Sequence, residues 1–392
     1  MRTAETAIRQ SHWRELLRSP ALMIWALSLL LTPVHVVRSG MPQPGDWLIV
    51  LLVPLALIGW RGSLEKRHSR MLRALMWFTL WVFAVNYAWA LILWKWNDPK
   101  NFILHPFFYF FNAAVFLCSL ILARRRRELF LRITVDAVFI TIVVLLVASF
   151  VYHNDYRGQV FFDSPNQLGY YALLSACLFA MTQRPLGMSR VRVAVAITCC
   201  AYLAVLSASR AAVAGISVLL LMLVFSNPRT IIIASLAAIG IVSIGGPVAK
   251  AIEVSQERVE HGQDARLSFS EERGYDRIWK NPEFLITGAG EGAYERFVGP
   301  GEHRRELHSS FGTIVFGYGV VGVVLFLIFA IRAVRGAPLR LAVMLVPALI
   351  FTVAHQGLRF TMFWVVLAAF VILKSMPDLE KQSHVGRLPA RP

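Results

Sequence analysis

A histidine stands at the boundary between a polar loop and an apolar segment, where it could handle protons. His308 follows the glycine-rich polar stretch GAGEGAYERFVGPGEHRREL and precedes SSFGTIVFGYGVVG, whose glycines would let another span approach closely. A neutral imidazole is the side chain best suited to accept a proton near neutral pH. A histidine here could also cap a helix or contact lipid headgroups, so the residue alone leaves both interpretations open.

Three arginines could bind an anionic group. Arg210 lies between two apolar runs in LSASRAAVAG, where a charge is costly without a function, although it could also snorkel from a span end. The segment SEERGYDRIWK predicts a helix over 270–280, on which Arg273 and Arg277 share one face. With the histidine, these arginines could form a pocket for a phosphate-bearing group. An exposed amphipathic helix with internal ion pairs is the alternative.

Two outward loops carry further polar candidates. In FFDSPNQLGYY, Asn166 and Gln167 suit hydrogen bonds to sugar hydroxyls, while Ser164 or Asn166 could instead cap the next helix. The turn HQGLR ends at Arg359 and is equally compatible with a plain helical hairpin and with a substrate contact. Glu291, in the glycine-rich stretch, is a candidate to touch either substrate or solvent.

Several common catalytic motifs are missing from the sequence. It contains no phosphate-binding glycine loop with its lysine, no HExxH, and no closely spaced aspartate pair in the outward regions. We therefore expect neither a metal nor a cofactor. An outward site has no supply of ATP, so a donor used there must carry its own leaving group.

Composition places the chain in a membrane. Of its 392 residues, 57% are hydrophobic and 16% charged, and the apolar residues form runs long enough for helical spans rather than barrel strands. The net charge of +17 comes from Lys and Arg at the ends of these runs, which predicts topology signals and contacts with anionic lipids rather than nucleic acid. We expect an all-α polytopic membrane protein.

The apolar runs predict about twelve spans with both termini in the cytoplasm. A bundle of about nine spans is expected over 1–245, one large outward loop containing helices over 246–307, further spans over 308–374, and a polar cytoplasmic tail over 375–392. Every strongly basic short loop then falls on one side, as the positive-inside rule requires. The predicted spans are 21–37, 47–60, 74–94, 106–123, 131–152, 168–182, 193–209, 211–225, 231–245, 309–331, 341–354 and 360–373.

Four segments together resemble a known enzyme family. PNQLGYYAL, SASRAAVAG, ERGYDRIW followed by ITGAGEGAYERF, and HSSFGTIVFGYGVVG resemble signature segments of the O-antigen ligase and polymerase superfamily, in matching order and over 160–325. That family comprises glycosyltransferases of the GT-C type in the bacterial inner membrane. The resemblance implies transfer of a glycan from an undecaprenyl-pyrophosphate carrier on the periplasmic face, without nucleotide sugar or metal.

The resemblance also assigns residues. Arg210 matches the arginine at the mid-chain span end, and His308 matches the histidine that opens the span after the large loop. The loop arginine is either Arg273 or Arg277, both of which precede Trp279, and we prefer Arg277. The implied reaction is an inverting displacement in which His308 acts as base or orienter and the arginines stabilise the departing pyrophosphate.

Three functions remain open on the sequence. A ligase would attach the glycan to lipid A-core oligosaccharide, whereas a polymerase would use the same donor and join repeat units on the carrier. A transporter or flippase would also suit twelve spans. Transporters commonly show related halves and broken helices that meet at mid-membrane, and the sequence has no evident internal repeat.

Overall fold

The described part of the chain is entirely helical. The computed structural model describes residues 15–17, 19–37, 40–60, 62–94, 100–152, 158–226, 232, 268–297 and 306–376, and these residues include no strand. Most of the predicted span 231–245, the segments 246–267 and 298–305 of the predicted loop, and residues 377–392 of the predicted tail lie outside the described residues. The expected all-α class is confirmed for the part that is described.

Helices occupy each predicted span that falls within the described ranges. The first series is α1 (Pro20–Leu31), α2 (Pro44–Ile58), α3 (Lys66–Ile92), α4 (Lys100–Ala123), α5 (Arg127–Val151), α6 (Pro165–Thr182), α7 (Arg190–Leu206) and α8 (Arg210–Ser226). Short helices of the predicted loop follow: α9 (Phe269–Arg273), α10 (Asp276–Lys280) and α11 (Phe284–Thr287). The chain ends with α12 (Ser310–Val334), α13 (Leu339–Ala342), α14 (Val346–Ala354) and α15 (Thr361–Lys374).

Within the described residues, four helices are long and apolar enough to cross a membrane: α3, residues Phe102–Ala123 of α4, α5 and α12. Large apolar side chains such as Trp77, Val147 and Leu327 are exposed on their outer faces. A soluble protein would bury such surfaces, whereas hydrocarbon accommodates them. The described part of the chain therefore has the character of an α-helical membrane protein.

Two helices form the centre of the bundle because they are apolar on every side. Within α6, the run from Leu168 to Phe179 is buried throughout, and so is the run from Met362 to Leu373 in α15. The Ser164 side chain caps α6 by accepting a hydrogen bond from the Asn166 amide at 3.3 Å. The capping role that we considered for Ser164 is thereby confirmed.

The two ends of the bundle differ in charge. The starts of α3 and α5 meet the ends of α12 and α15, where the Arg332 side chain donates to the Arg70 carbonyl at 2.7 Å. Lys374 donates to the Ala333 carbonyl there, and Arg127 forms an ion pair with Glu65. We call this the basic end. The starts of α4, α6, α12 and α15 lie at the other end of the bundle.

The predicted loop docks on a break in α12. Gly319 has a φ of 62° and a ψ of −169°, values that interrupt the helix and leave carbonyls of the preceding turn without their usual partners. The Ala289 amide donates to the Phe316 carbonyl at 2.8 Å, and the Gly290 amide donates to the Gly317 carbonyl at 2.8 Å. We expected the glycines of this helix to admit another span; at Gly317 and Gly319 they admit the loop instead.

The helix predicted over 270–280 is in fact two short helices. A capping box between Ser268 and Glu271 starts α9, and Gly274, with a φ of 77°, ends it after five residues. Glycine adopts this left-handed conformation without the steric cost of a Cβ. Arg273 and Arg277 therefore lie on separate helices rather than on one continuous face, which corrects the prediction.

The docking of the loop can be tested at Gly319. An alanine Cβ at Gly319 would lie 2.5 Å from the Ile286 carbonyl oxygen and 2.9 Å from the Gly288 nitrogen, whereas one at Gly336 would meet nothing within 4 Å. Both glycines have positive φ, so Gly336→Ala is a matched control that carries only backbone strain, roughly 1 kcal/mol. We expect Gly319→Ala to lower the thermal unfolding temperature distinctly more and to expose the loop to protease. Equal effects from the two substitutions would contradict this docking.

Candidate active site

A cavity of about 700 Å³, lined by both polar and apolar side chains, opens at the end of the bundle opposite the basic end. Its walls come from the connection between α1 and α2, the start of α4, the start of α6, the segment 306–308 and the turn 355–361. A pocket that gathers polar groups from distant segments is the usual form of a binding or catalytic site. The polar side chains on its wall include His35, Asp46, His105, Asn166, Gln167, Glu306, His308, His355, Gln356 and Arg359.

His308 lies in the short segment that leads into α12, where side chains that line the cavity alternate with buried ones. Glu306 and His308 line the cavity, whereas Leu307 is 3% exposed and Ser309 is fully buried on the other side. Leu307 packs with the loop residue Ile278, so burial of this leucine fixes the direction of both of its neighbours.

The backbone around His308 is held by the loop helices. The His308 amide donates to the Arg273 carbonyl at 3.0 Å. Ser309 caps α12 by accepting from the Gly312 amide at 3.1 Å, and the Tyr275 hydroxyl is hydrogen-bonded to Ser309 Oγ at 2.6 Å. The capping role that we considered for the histidine thus belongs to Ser309, which leaves the imidazole on the cavity wall.

The turn after α14 is hydrogen-bonded to the start of α12 and to the residue before His308. The Ser310 amide donates to the His355 carbonyl at 3.1 Å, and the Leu358 amide donates to Ser310 Oγ at 3.0 Å. The Gln356 amide group donates to the carbonyl of Leu307 and to Thr313 Oγ1. These bonds bring HQGLR beside the histidine, so the turn contributes to the cavity wall as well as joining two helices.

Arg359 is the centre of a buried ion network. Its Nη1 donates to Glu306 Oε2 at 2.9 Å, and its Nη2 forms an ion pair with the Glu291 carboxylate. The Tyr318 hydroxyl donates to Glu291, which is 1% exposed and whose amide donates to Asn86 Oδ1 at 2.8 Å. Buried charges require such partners. Glu291 therefore lies behind the cavity wall, where it contacts two wall residues, Arg359 through its carboxylate and His105 through its backbone carbonyl.

The environment shifts the charges of this network. Burial lowers the pKa of the Arg359 guanidinium and raises the pKa of Glu306 to about 7. The charge of the Glu306 carboxyl therefore changes near neutral pH. The Arg359 guanidinium beside it acts in the other direction, because it favours the charged form.

Asn166 and Gln167 also lie on the cavity wall, in the first turn of α6. The start of α8 packs close to them: a Cβ added at Gly169 would lie 2.5 Å from Ser207 Oγ and 2.9 Å from the Ala212 Cβ. Arg210 is the first residue of α8 and is exposed. It therefore stands near the start of α6, while its side chain is not part of the cavity wall.

The two loop arginines have different surroundings. Arg273 donates from Nη1 to the Ala354 carbonyl at 3.1 Å, next to the turn that contributes His355. Arg277 is 7% exposed and lies near Tyr294; burial raises the pKa of that phenol, and the Arg277 guanidinium opposes the shift. Arg273, rather than the Arg277 that we preferred, is thus connected to the backbone of His308.

The structure gathers only part of the predicted set. His308, Arg359, Asn166 and Gln167 share one cavity, Arg273 borders it, and the other candidates, Arg210, Arg277 and Glu291, do not line it. The cavity also contains residues that we did not single out, chiefly Glu306, His35 and His105. Glu306 had one signal in the sequence, namely its position two residues before His308 in a short segment that leads into a helix.

Within the described ranges, no group of three or more His, Cys, Asp or Glu side chains could hold a metal ion. Comparison with protein-family models finds no match to this chain, and comparison with curated proteins finds none either.

Proposed function

We propose that the chain is a membrane glycosyltransferase of the O-antigen ligase type. It transfers a glycan from undecaprenyl-pyrophosphate to the sugar of lipid A-core oligosaccharide, without a metal or other cofactor. The observation that carries the proposal is the single cavity lined by His308, Arg359, Asn166 and Gln167. Three of them, His308, Asn166 and Gln167, belong to segments that resemble the ligase and polymerase superfamily.

The proposed arrangement in the membrane is twelve spans with the cavity facing the periplasm of a bacterial inner membrane. The supporting observation is that Arg70, Arg127, Arg332 and Lys374 gather at the basic end, opposite the cavity. Basic residues accumulate on the cytoplasmic side of membrane proteins. The large loop over 246–307 would then be periplasmic, beside a donor that is anchored in lipid.

The proposed reaction is a displacement at the anomeric carbon of the donor sugar. An acceptor hydroxyl forms the new bond from the opposite face, and the bond to the pyrophosphate oxygen breaks with its electron pair on the leaving group. His308 accepts or orients the proton of that hydroxyl, and Asn166 and Gln167 hold sugar hydroxyls by hydrogen bonds. Arg210, which stands outside the cavity wall near the start of α6, and a loop arginine stabilise the charge that develops on a pyrophosphate held at the edge of the cavity.

The function is tested with purified protein, a defined undecaprenyl-pyrophosphate glycan and a panel of acceptors, each with and without a chelator. We expect product only with lipid A-core as acceptor, at a rate that the chelator does not change. Longer carrier-linked glycan made without lipid A-core would identify a polymerase instead. Absence of transfer together with movement of the glycan across vesicles would replace the enzyme with a transporter.

Arg210 offers a direct test of the leaving-group role. We expect Arg210→Ala to lower the transfer rate by about 10²–10³-fold, because a fixed cation at the departing pyrophosphate is lost. Arg190 is a matched control, since it is also exposed and also begins a helix, but at the start of α7, far from the cavity. Arg190→Ala should transfer glycan at nearly the wild-type rate. Similar rates for both variants would remove Arg210 from the mechanism.

A further inference from the structure

Glu306 is placed to act on whatever the cavity binds. It precedes His308 by two residues, and both side chains lie on the cavity wall. The Glu306 side chain is 31% exposed, so it combines contact with the cavity and a largely buried position. A ligand hydroxyl that reaches the imidazole would therefore also be close to this carboxylate.

Arg359 holds the Glu306 carboxylate by one edge. Among the described residues, the contact that fixes Glu306 is the hydrogen bond from Arg359 Nη1 to Oε2 at 2.9 Å. Arg359 is itself fixed, because it pairs with the buried Glu291 and its carbonyl accepts from Asn112 Nδ2 at 3.1 Å. This arrangement orients the carboxylate while leaving Oε1 to accept a hydrogen bond or a proton from a ligand.

We propose that Glu306 is the general base of the transfer reaction and that Arg359 is its positioning residue. The proposal rests on the function proposed above. As the acceptor oxygen bonds to the anomeric carbon, its proton passes to the Glu306 carboxylate, and the electron pair of the broken glycosyl bond leaves with the pyrophosphate. His308 then orients the acceptor hydroxyl, and the proton on Glu306 is released to water through the open cavity.

The charges that face Glu306 suit this role. Arg359 contacts it directly but is shared with Glu291, so the guanidinium compensates two carboxylates rather than one. Tyr109 and Tyr294 are near enough to interact electrostatically, and His308 lies on the same wall. Burial raises the pKa of Glu306 to about 7, and a base is most effective when its pKa lies near the working pH.

The first test is the pH dependence of kcat/KM for wild-type protein and Glu306→Gln. A base must be deprotonated, so wild-type activity should fall as pH falls through about 7. The glutamine carbonyl can still accept from Arg359 but cannot take a proton. We expect kcat/KM of the variant to be about 10²–10⁴-fold lower than that of wild type and no longer to fall as the pH is lowered through this range. The thermal unfolding temperature should be unchanged.

A second measurement uses only wild-type protein, so it tests the role of Glu306 even when Glu306→Gln does not fold. Protonation of an imidazole is strongly exothermic, whereas protonation of a carboxylate is nearly athermal. The acidic limb of the wild-type profile should consequently keep its midpoint when the temperature is changed. A midpoint that moves to lower pH on warming would assign the limb to a histidine and overturn the proposal.

These experiments distinguish failure of the role assigned to Glu306 from failure of the proposed function. If wild-type protein transfers glycan and Glu306→Gln stays within about threefold of it, Glu306 is not the base but the proposed function stands. If His308→Gln is slower than wild type but keeps the acidic limb, the division of roles is supported. If wild-type protein transfers no glycan to any acceptor, the proposed function fails and the role of Glu306 fails with it.

Discussion

His308→Ala should abolish glycan transfer, with a loss of about 10³–10⁴-fold, while the protein still inserts and folds. The loss follows from the removal of the imidazole that orients the acceptor hydroxyl for proton transfer and attack. Folding should survive because the His308 amide donates to the Arg273 carbonyl whatever the side chain. The imidazole itself is only half-buried, on the cavity wall.

A histidine at the other end of the bundle supplies the control. His68 is also half-buried, but it lies in the first turn of α3 near the basic end. His68→Ala should retain nearly all activity. Transfer would be measured as initial rate at saturating donor, and unfolding temperatures would be compared in the same detergent. Activity of His308→Ala within a few-fold of wild type would exclude this histidine from the chemistry.

Arg359→Ala should be among the most destabilising substitutions in the described part of the chain. It leaves Glu291 fully buried and Glu306 largely buried without their cation, and breaking a buried ion pair from one side costs about 3–5 kcal/mol. The unfolding temperature in detergent should fall accordingly. The difference in unfolding temperature between wild type and Arg359→Ala should become smaller at lower pH, because protonation of the two carboxyls removes the uncompensated charge.

A double substitution distinguishes charge from packing. Replacing Arg359 with Met and Glu291 with Gln removes a cation and a carboxylate together, so no buried charge of Glu291 remains without a partner. We expect Arg359→Met/Glu291→Gln to unfold at a distinctly higher temperature than Arg359→Met alone, because both variants carry the same side chain at 359 and differ only in the Glu291 charge. If the double variant is no more stable than the single one, the arginine stabilises the protein by packing rather than by its charge.

Most helices could be predicted from the sequence because a span must satisfy its backbone hydrogen bonds internally and cover itself with apolar side chains. The helices α5 and α12 lie within a few residues of the apolar runs 131–152 and 309–331. The ends were less predictable, since polar residues can continue a helix beyond its apolar part. For this reason α3 begins at Lys66, well before the predicted start of its span.

The breaks within helices were not predictable from hydropathy. Gly274 divides the loop helix and Gly319 interrupts α12, and neither changes the pattern of apolar residues around it. Glycines in α12 correctly indicated a close approach, but only the fold shows that the partner at Gly319 is the loop backbone near Ile286. A glycine permits contact without specifying what makes it.

The composition of the cavity was only partly predictable for a different reason. His308, Asn166 and Arg359 were found because each lies in a polar segment next to an apolar one. His105 was missed because it lies inside an apolar run, and Glu306 because it lies among other charged residues. Their place on one wall depends on contacts between distant segments, which a single sequence does not record.

Transfer of a lipid-linked glycan by this protein, through the residues of the cavity, can be measured in one assay. Purified wild-type protein and His308→Ala would be given a defined undecaprenyl-pyrophosphate glycan and lipid A-core, and the glycosylated acceptor would be quantified over time. We expect product with wild-type protein, with or without chelator, and almost none with His308→Ala. Absence of product with a correctly folded wild-type protein, or equal product with both proteins, would contradict the claim.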